Sequence, residues 1–364
     1  MKKSTILKSM LLLFVFLSFL IINNILNDPH AILHDPHKNG GWRIPNLHFL
    51  KLKHILTEPR KKIILTGTSR VNYIYFSDWI PNDQFYNLGA PRKTFAEILY
   101  DLNALKKYNK LPEYIFIGID EGSFRISTEE NRQLKMKLPY PIDYLDYLDF
   151  FYKYFLVKDV NNLEFIHKWN YNKPALQNFD IYTTGETKMP FLDAIALKDP
   201  SNWNEDIKFK LPMLLTDNNS KESLREFLEL FKFLKQNEIQ YTFFFNPIHK
   251  ANWLSEKTNE LFEFKSNLAE ISNYLDFSSP NTELSNNNYY WYDPAHFRSN
   301  IGTKIAFALL SHEKLIASDQ TNRNLYTVNG QVDNLQVTFQ EVTSQNKKEV
   351  FHYQQLQLDK ILPH

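Results

Sequence analysis

Hydrophobic positions fall into a few short blocks along the chain, and their spacing changes from one block to the next. The first covers residues 10–22, broken only by Ser18, with Ile25 and Leu26 just beyond Asn23 and Asn24. A spanning helix needs about 20 mainly apolar residues, so the run is short, and both a cleaved signal peptide and a signal anchor have to be weighed. The residues that follow, Asn-Asp-Pro-His-Ala, hold no small-x-small cleavage site. That favours an uncleaved signal anchor over residues 1–27. Lys2, Lys3 and Lys8 all stand on the leading side, which predicts a cytoplasmic N-terminus with everything after Asn27 exported.

Residues 28–61 read as a polar, proline-punctuated linker. They contain Asp28-Pro29-His30 and Asp35-Pro36-His37 with His34 between, but no carboxylate–histidine spacing recurs on a predictable element, and no metal site is expected. The folded domain begins at Lys62. Ile63-Ile64-Leu65-Thr66-Gly67 has the continuous apolar character of a buried parallel strand, and residues 84–89, 114–117, 241–245 and 275–277 repeat it. Between these runs the period lengthens. Phe95, Ile98, Leu99, Leu102 and Leu105 form one helical stripe, and Leu224, Phe227, Leu228, Phe231 and Leu234 form another. Further helices are expected over residues 252–274 and 299–310.

Strands alternating with helices of this length predict an α/β fold, a three-layer α/β/α sandwich around a central parallel sheet. The expected α/β domain comprises residues 62–124 and 219–312. A mid-chain insertion over 125–218, rich in Tyr, Asn, Asp, Lys and Pro, separates the two parts. Its aromatic stretch at 140–155 either packs onto the parent domain or lines a sugar-binding surface. Residues 313–364 form a C-terminal extension, in which Leu335-Gln336-Val337-Thr338-Phe339 alternates as in a terminal hairpin or a loosely held tail.

Composition narrows the chemistry. Lys plus Arg (42) balances Asp plus Glu (41), and no basic stripe at helical spacing points to nucleic acid. The absence of cysteine excludes disulfides, thiol catalysis, a thiolate metal centre and a lipoprotein anchor. With 9 glycines and neither Gly-x-Gly-x-x-Gly nor a Walker-type loop, a nucleotide- or phosphate-binding domain is poorly supported.

Three segments look unlike packing. Gly67-Thr68-Ser69-Arg70 closes the first strand, where an open parallel sheet binds its ligands and helix N-terminal amides stabilise negative charge. A plain N-cap accounts for the same residues. Trp291-Tyr292-Asp293-Pro294-Ala295-His296-Phe297 puts an Asp and a His three residues apart, close enough for the carboxylate to fix the imidazole tautomer; a surface turn with an incidental His is the ordinary alternative. Tyr86-Asn87-Leu88-Gly89-Ala90 ends the second strand with a glycine that either lends its N–H to an oxyanion or serves only the turn.

Taken in order, these segments resemble the blocks of the SGNH/GDSL hydrolase superfamily over roughly residues 62–312. That resemblance implies Ser69 as nucleophile, Gly89 as an oxyanion donor, His296 as general base and Asp293 as its orienting partner. Two positions depart from the family pattern. Thr68 stands where block I has Asp, and Gly118-Ile119-Asp120-Glu121 stands where block III has Gly-x-Asn-Asp. An ionised Asp120 cannot donate to an oxyanion, and losing one such donor costs about 10²–10³ in rate.

The Gly-x-Ser-Arg block with Arg70, on an N-terminal anchor, resembles the divergent branch that includes the alginate O-acetyltransferase accessory proteins and the teichoic acid D-alanylation protein. Asn246-Pro247-Ile248-His249 is similar to a segment of that branch and makes His249 a candidate lining residue, although a structural loop histidine fits as well. The resemblance implies an extracytoplasmic acyl transferase or esterase acting on a cell-envelope or exported polysaccharide. It implies a possible polytopic membrane acyltransferase as partner and no metal or organic cofactor. A non-catalytic glycan-binding or scaffold partner of such a membrane acyltransferase remains the alternative, with Asp120 its best support.

Overall fold

The computed structural model describes residues 3–27, 33, 46–125, 140–153, 178–210, 220–255, 258–316, 327–328, 331–332, 335 and 337–360. In chain order the elements begin with α1 (Lys3–Asn27), α2 (Leu47–Thr57), β1 (Ile63–Gly67), β2 (Phe85–Asn87), α3 (Phe95–Lys107), β3 (Tyr114–Ile119) and α4 (Glu121–Arg125). Then come α5 (Tyr144–Phe151), β4 (Asn178–Phe179), β5 (Thr187–Lys188), α6 (Pro190–Lys198), α7 (Pro200–Glu205) and α8 (Ser220–Gln236). They are followed by β6 (Gln240–Phe245), α9 (Lys250–Ser255), α10 (Thr258–Ile271), β7 (Tyr274–Asp276) and α11 (Glu283–Asn286). The last are β8 (Trp291–Asp293), β9 (His296–Phe297), α12 (Ser299–His312), β10 (Thr327–Val328), β11 (Gln331–Val332), β12 (Gln340–Val342) and α13 (Lys347–Asp359).

The chain divides into two compact units, residues 1–53 with 132–175 and residues 54–131 with 176–364. The larger unit is built on a six-stranded sheet in the order β12-β7-β6-β3-β1-β2. Its four pairings from β2 to β7 are parallel, and β12 joins the β7 edge antiparallel. The parallel strands follow the doubly wound order 2-1-3-4-5, which reverses direction between β1 and β3.

Both faces of the sheet are covered, so its strands are apolar at successive positions rather than alternating. Leu65, Phe116, Phe244 and Leu275 face one core, into which α12 sends Ile301, Ile305 and Leu309. On the other side the Phe95 ring of α3 packs on Phe227 of α8 and Phe264 of α10, and those two rings meet Phe243 and Phe245 of β6. Thr94 starts α3 with a complete capping box to Glu97.

Several expected boundaries move. The linker is not structureless, since α2 forms at its C-terminal end; the Asp-Pro-His repeats and His34 lie outside the described residues. The single helix expected over 252–274 is two, α9 and α10. Residues 178–210 of the insertion belong to the larger unit, with Ile181, Met189 and Trp203 buried in it. The C-terminal extension holds a short hairpin, β10–β11, and beyond it is not a loose tail. β12 pairs with β7, Leu335, Val337 and Phe339 pack against the core, and Gln354 of α13 reaches Asp276.

Candidate active site

β1 is flanked by strands on both sides, so whatever follows Gly67 emerges at the carboxyl edge beside the switch point. Gly67 has φ +147°, and a Cβ there would sit 2.4 Å from the carbonyl oxygen of Gly118. Only glycine lets the chain leave β1 at this angle. A 3-10 helix, Ser69–Tyr73, follows at once. Its N-cap is Thr68, whose Oγ1 accepts from the Arg70 amide and donates to Asp120 Oδ2. The capping role therefore falls to Thr68 and leaves the Ser69 hydroxyl for other contacts.

Ser69 Oγ lies 2.9 Å from His296 Nε2. On the far side of the ring, His296 Nδ1 is 3.0 Å from both carboxylate oxygens of Asp293. Asp293 and His296 face each other across the β8–β9 hairpin rather than along a helix. Asp293 Oδ1 also accepts from the amides of Ala295 (2.7 Å) and His296 (3.0 Å), which tightens that turn. Burial opposes ionisation of Asp293, but the imidazole beside it and these hydrogen bonds outweigh burial and hold its carboxyl below the usual range. An ionised Asp293 places the ring proton on Nδ1 and leaves Nε2 free to accept from Ser69. The Tyr73 ring packs edge-on to the imidazole at 5.2 Å.

Arg70 is buried and spends its guanidinium on protein groups. Its guanidinium donates through two nitrogens to Glu121, one arm at 2.6 Å, and Nε donates to the carbonyl of Ala295 at 2.7 Å. Asn252 Nδ2 donates to Glu121 Oε1 (3.2 Å) and to the carbonyl of Pro294 (3.0 Å). Arg70, Glu121 and Asn252 thus tie the end of β1 to the turn that carries His296. Sequence reasoning missed Glu121 and Asn252. The available signal was Arg70 itself, since a buried guanidinium next to a strand end requires a carboxylate partner.

The outer side of the hairpin is braced by Asp193 of α6. It accepts from Tyr292 Oη (2.8 Å), Ser299 Oγ (2.5 Å) and Arg298 Nε (3.0 Å), while Trp203 Nε1 donates to the Trp291 carbonyl at 3.0 Å.

Three of the expected oxyanion or lining residues are engaged elsewhere. The Gly89 amide donates to Asn87 Oδ1 at 2.8 Å. Asp120 is buried, accepting from Thr68 Oγ1 and from the Gly122 amide (2.9 Å); burial pushes its carboxyl up, with Arg70 opposing and Glu121 adding to the rise. His249 Nδ1 accepts from the Ala251 amide and Nε2 donates to Asn288 Oδ1 (2.9 Å), so it caps α9 as a neutral ring. Burial lowers its pKa to about 4. The Ser69 amide, in contrast, has no hydrogen-bond partner among the described residues.

A groove lined by Tyr114, Gln240, Thr242, Tyr274 and Glu313 opens at the opposite, amino-terminal edge of the strands. The serine, imidazole and carboxylate at the carboxyl edge have the order and spacing needed to deprotonate a hydroxyl nucleophile. No protein-family model matches the chain, and no curated protein matches it.

Proposed function

We propose that the chain is a membrane-anchored serine acyltransferase or esterase of the SGNH/GDSL type. On this reading it works outside the cytoplasm on a cell-envelope or exported polysaccharide. The observation that carries the proposal is the 2.9 Å contact between Ser69 Oγ and His296 Nε2, with Nδ1 of the same ring held by Asp293. Ser69 Oγ bonds to the acyl carbon as His296 Nε2 takes its proton, and the expelled alcohol leaves with that proton. A sugar hydroxyl or water then gives its proton to His296 and takes the acyl group from Ser69, and His296 passes that proton to the released Ser69 Oγ. Asp293 stays ionised throughout and supports the imidazolium.

The oxyanion contacts favour a slow hydrolase. The Ser69 amide is the open donor, while the Gly89 amide is spent on Asn87 and Asp120 is spent on Thr68 and Gly122. Removing one oxyanion donor costs about 10²–10³ in rate. The same observation favours a second reading, a non-catalytic glycan-binding or scaffold partner of a membrane-bound O-acyltransferase.

The two readings separate with 4-nitrophenyl acetate. Nitrophenol release and the mass of the protein are followed together for the purified chain and for Ser69→Ala. An acetyl adduct that vanishes in the variant is expected, with slow turnover. A folded wild-type chain giving neither turnover nor adduct would sink the enzyme reading in favour of the scaffold.

A further inference from the structure

Ser69 and His296 stand 227 positions apart, so their 2.9 Å contact depends on what fixes the β8–β9 hairpin against the 3-10 helix that starts with Ser69. The hairpin is a weak support by itself, with strands of three and two residues and an irregular register between Trp291 and Asp293. Asp193 grips the chain on either side of the Asp293–His296 pair. Its Oδ2 accepts from Tyr292 Oη at 2.8 Å and from Ser299 Oγ at 2.5 Å, and its Oδ1 accepts from Arg298 Nε at 3.0 Å. Arg298 is buried, and its Nη1 donates to the Tyr289 carbonyl at 3.0 Å, which carries the clamp ahead of β8.

The segment that supplies Asp193 also holds the serine's side. Just before α6, the Thr187 carbonyl accepts from Tyr75 Oη at 2.8 Å, and Glu186 accepts from the amide and hydroxyl of Ser77 at 3.1 and 2.5 Å. Tyr75 and Ser77 lie just past the 3-10 helix. Residues 186–193 therefore join the two halves of the site. We propose that Asp193 is a positioning residue for acyl transfer, setting the Ser69–His296 contact through the hairpin rather than acting on a reacting atom. The proposal rests on reading the site as an acyltransferase or esterase. A misplacement of about 1 Å can cost about 10²-fold in rate, so a carboxylate that touches only the frame of the site still controls its chemistry.

Two variants of the full chain test it. Asp193→Asn keeps the side-chain shape but removes one acceptor and the charge that Arg298 pairs with. Tyr292→Phe with Ser299→Ala removes two of the donors and leaves the Asp193–Arg298 pair intact, so no buried charge loses its partner. Acetylation of Ser69 by 4-nitrophenyl acetate is followed by mass, and the Nδ1–H of His296, assigned by its loss in His296→Gln, is followed in spectra of the chain labelled with nitrogen-15 at histidine. Both variants are expected to take acetyl roughly 10- to 100-fold more slowly, and the His296 proton to move upfield as its bond to Asp293 loosens. In a His296→Ala background the same changes should leave the residual rate within about twofold, because the clamp acts only through that ring. Folded variants with the wild-type acetylation rate and an unmoved His296 proton overturn the proposal, and so does equal slowing with and without His296. A wild-type chain that takes no acetyl group defeats the acyl-transfer reading on its own. The His296 proton then decides the positioning alone: a shift in both variants upholds it, and an unmoved signal overturns it.

Discussion

Arg70 and Glu121 meet with both side chains buried, so each is the counter-charge that makes the other tolerable. Breaking such a pair from one side costs about 3–5 kcal/mol, because the remaining charge stays buried and unpaired. Glu121→Gln is therefore expected to lower the melting temperature and, through the loosened Ala295 and Pro294 carbonyls, to lower the rate of acyl release. The double variant Arg70→Met with Glu121→Leu separates the two effects. It removes both charges and should recover much of the stability, but not the rate, since Ala295 loses its donor. Thermal melts beside nitrophenol release check this; equal recovery of both would make the pair merely structural. A second residue makes a pH prediction. Burial raises the Glu186 carboxyl from 4.5 to about 7, against its hydrogen bonds from Ser77. A folded pKa above the unfolded one stabilises fully below about 4.5, and that stability is lost as pH rises through about 7. The span corresponds to about 3 kcal/mol. Melting temperatures across that range should fall for wild type and stay flatter for Glu186→Gln. The legible residues were those whose chemistry is local: Ser69 ends a strand, and Asp293 and His296 share one turn. Glu121 and Asn252 were not legible, because their meaning comes from Arg70, 51 positions from Glu121.

Between elements, the closest approach that bears on the site is made by α12. A Cβ on Gly302 would lie 1.6 Å from the carbonyl oxygen of Tyr73, in the 3-10 helix that starts with Ser69. A backbone carbonyl cannot rotate aside as a side chain can, so Gly302→Ala must push α12 and that helix apart. Overpacking of this kind costs about 1–3 kcal/mol. The variant should melt lower and release acyl groups more slowly, the Tyr73 ring being packed on His296; unchanged melting and rate would show that the gap opens without disturbing the serine. At the sheet edge, β12 is three residues long, with Gln340 opposite Asp276, and nothing in so short a segment marks it as a strand. Its identity comes from β7, whose free edge it fills, which is why alternation around Leu335 and Phe339 located the region but not the pairing. Behind that edge Lys265 donates to Asp276 and Ser278, and Gln354 of α13 donates to the same carboxylate. The helices and parallel strands were legible because their periods of 3.6 and their unbroken apolar runs are set within each segment.

For the whole molecule, the proposed membrane anchor makes the orientation of α1 the feature that decides which compartment the serine faces. The sheet order places Ser69, Asp120 and the β8–β9 hairpin on one edge of the larger unit, but no contact within the fold selects a side of the membrane. On the proposed topology, the flanking charges are what would select it. Lys2, Lys3 and Lys8 precede or open the apolar span, and the 20 residues after it, 28–47, contain two basic residues, Lys38 and Arg43. Positive flanks are retained in the cytoplasm, so the larger unit should emerge on the opposite side. In spheroplasts, a membrane-impermeant maleimide is expected to label Lys348→Cys without lysis and Ser4→Cys only after it. Replacing Lys2, Lys3 and Lys8 by glutamine removes the retained charge and should reduce the share of Lys348→Cys that is labelled before lysis. Labelling of Ser4→Cys first, and of Lys348→Cys only on lysis, would put the serine in the cytoplasm. Nitrophenyl acetate turnover could then still stand, because it reads the 2.9 Å contact between Ser69 and His296 and not the compartment, but an exported polysaccharide would be out of reach as the acceptor.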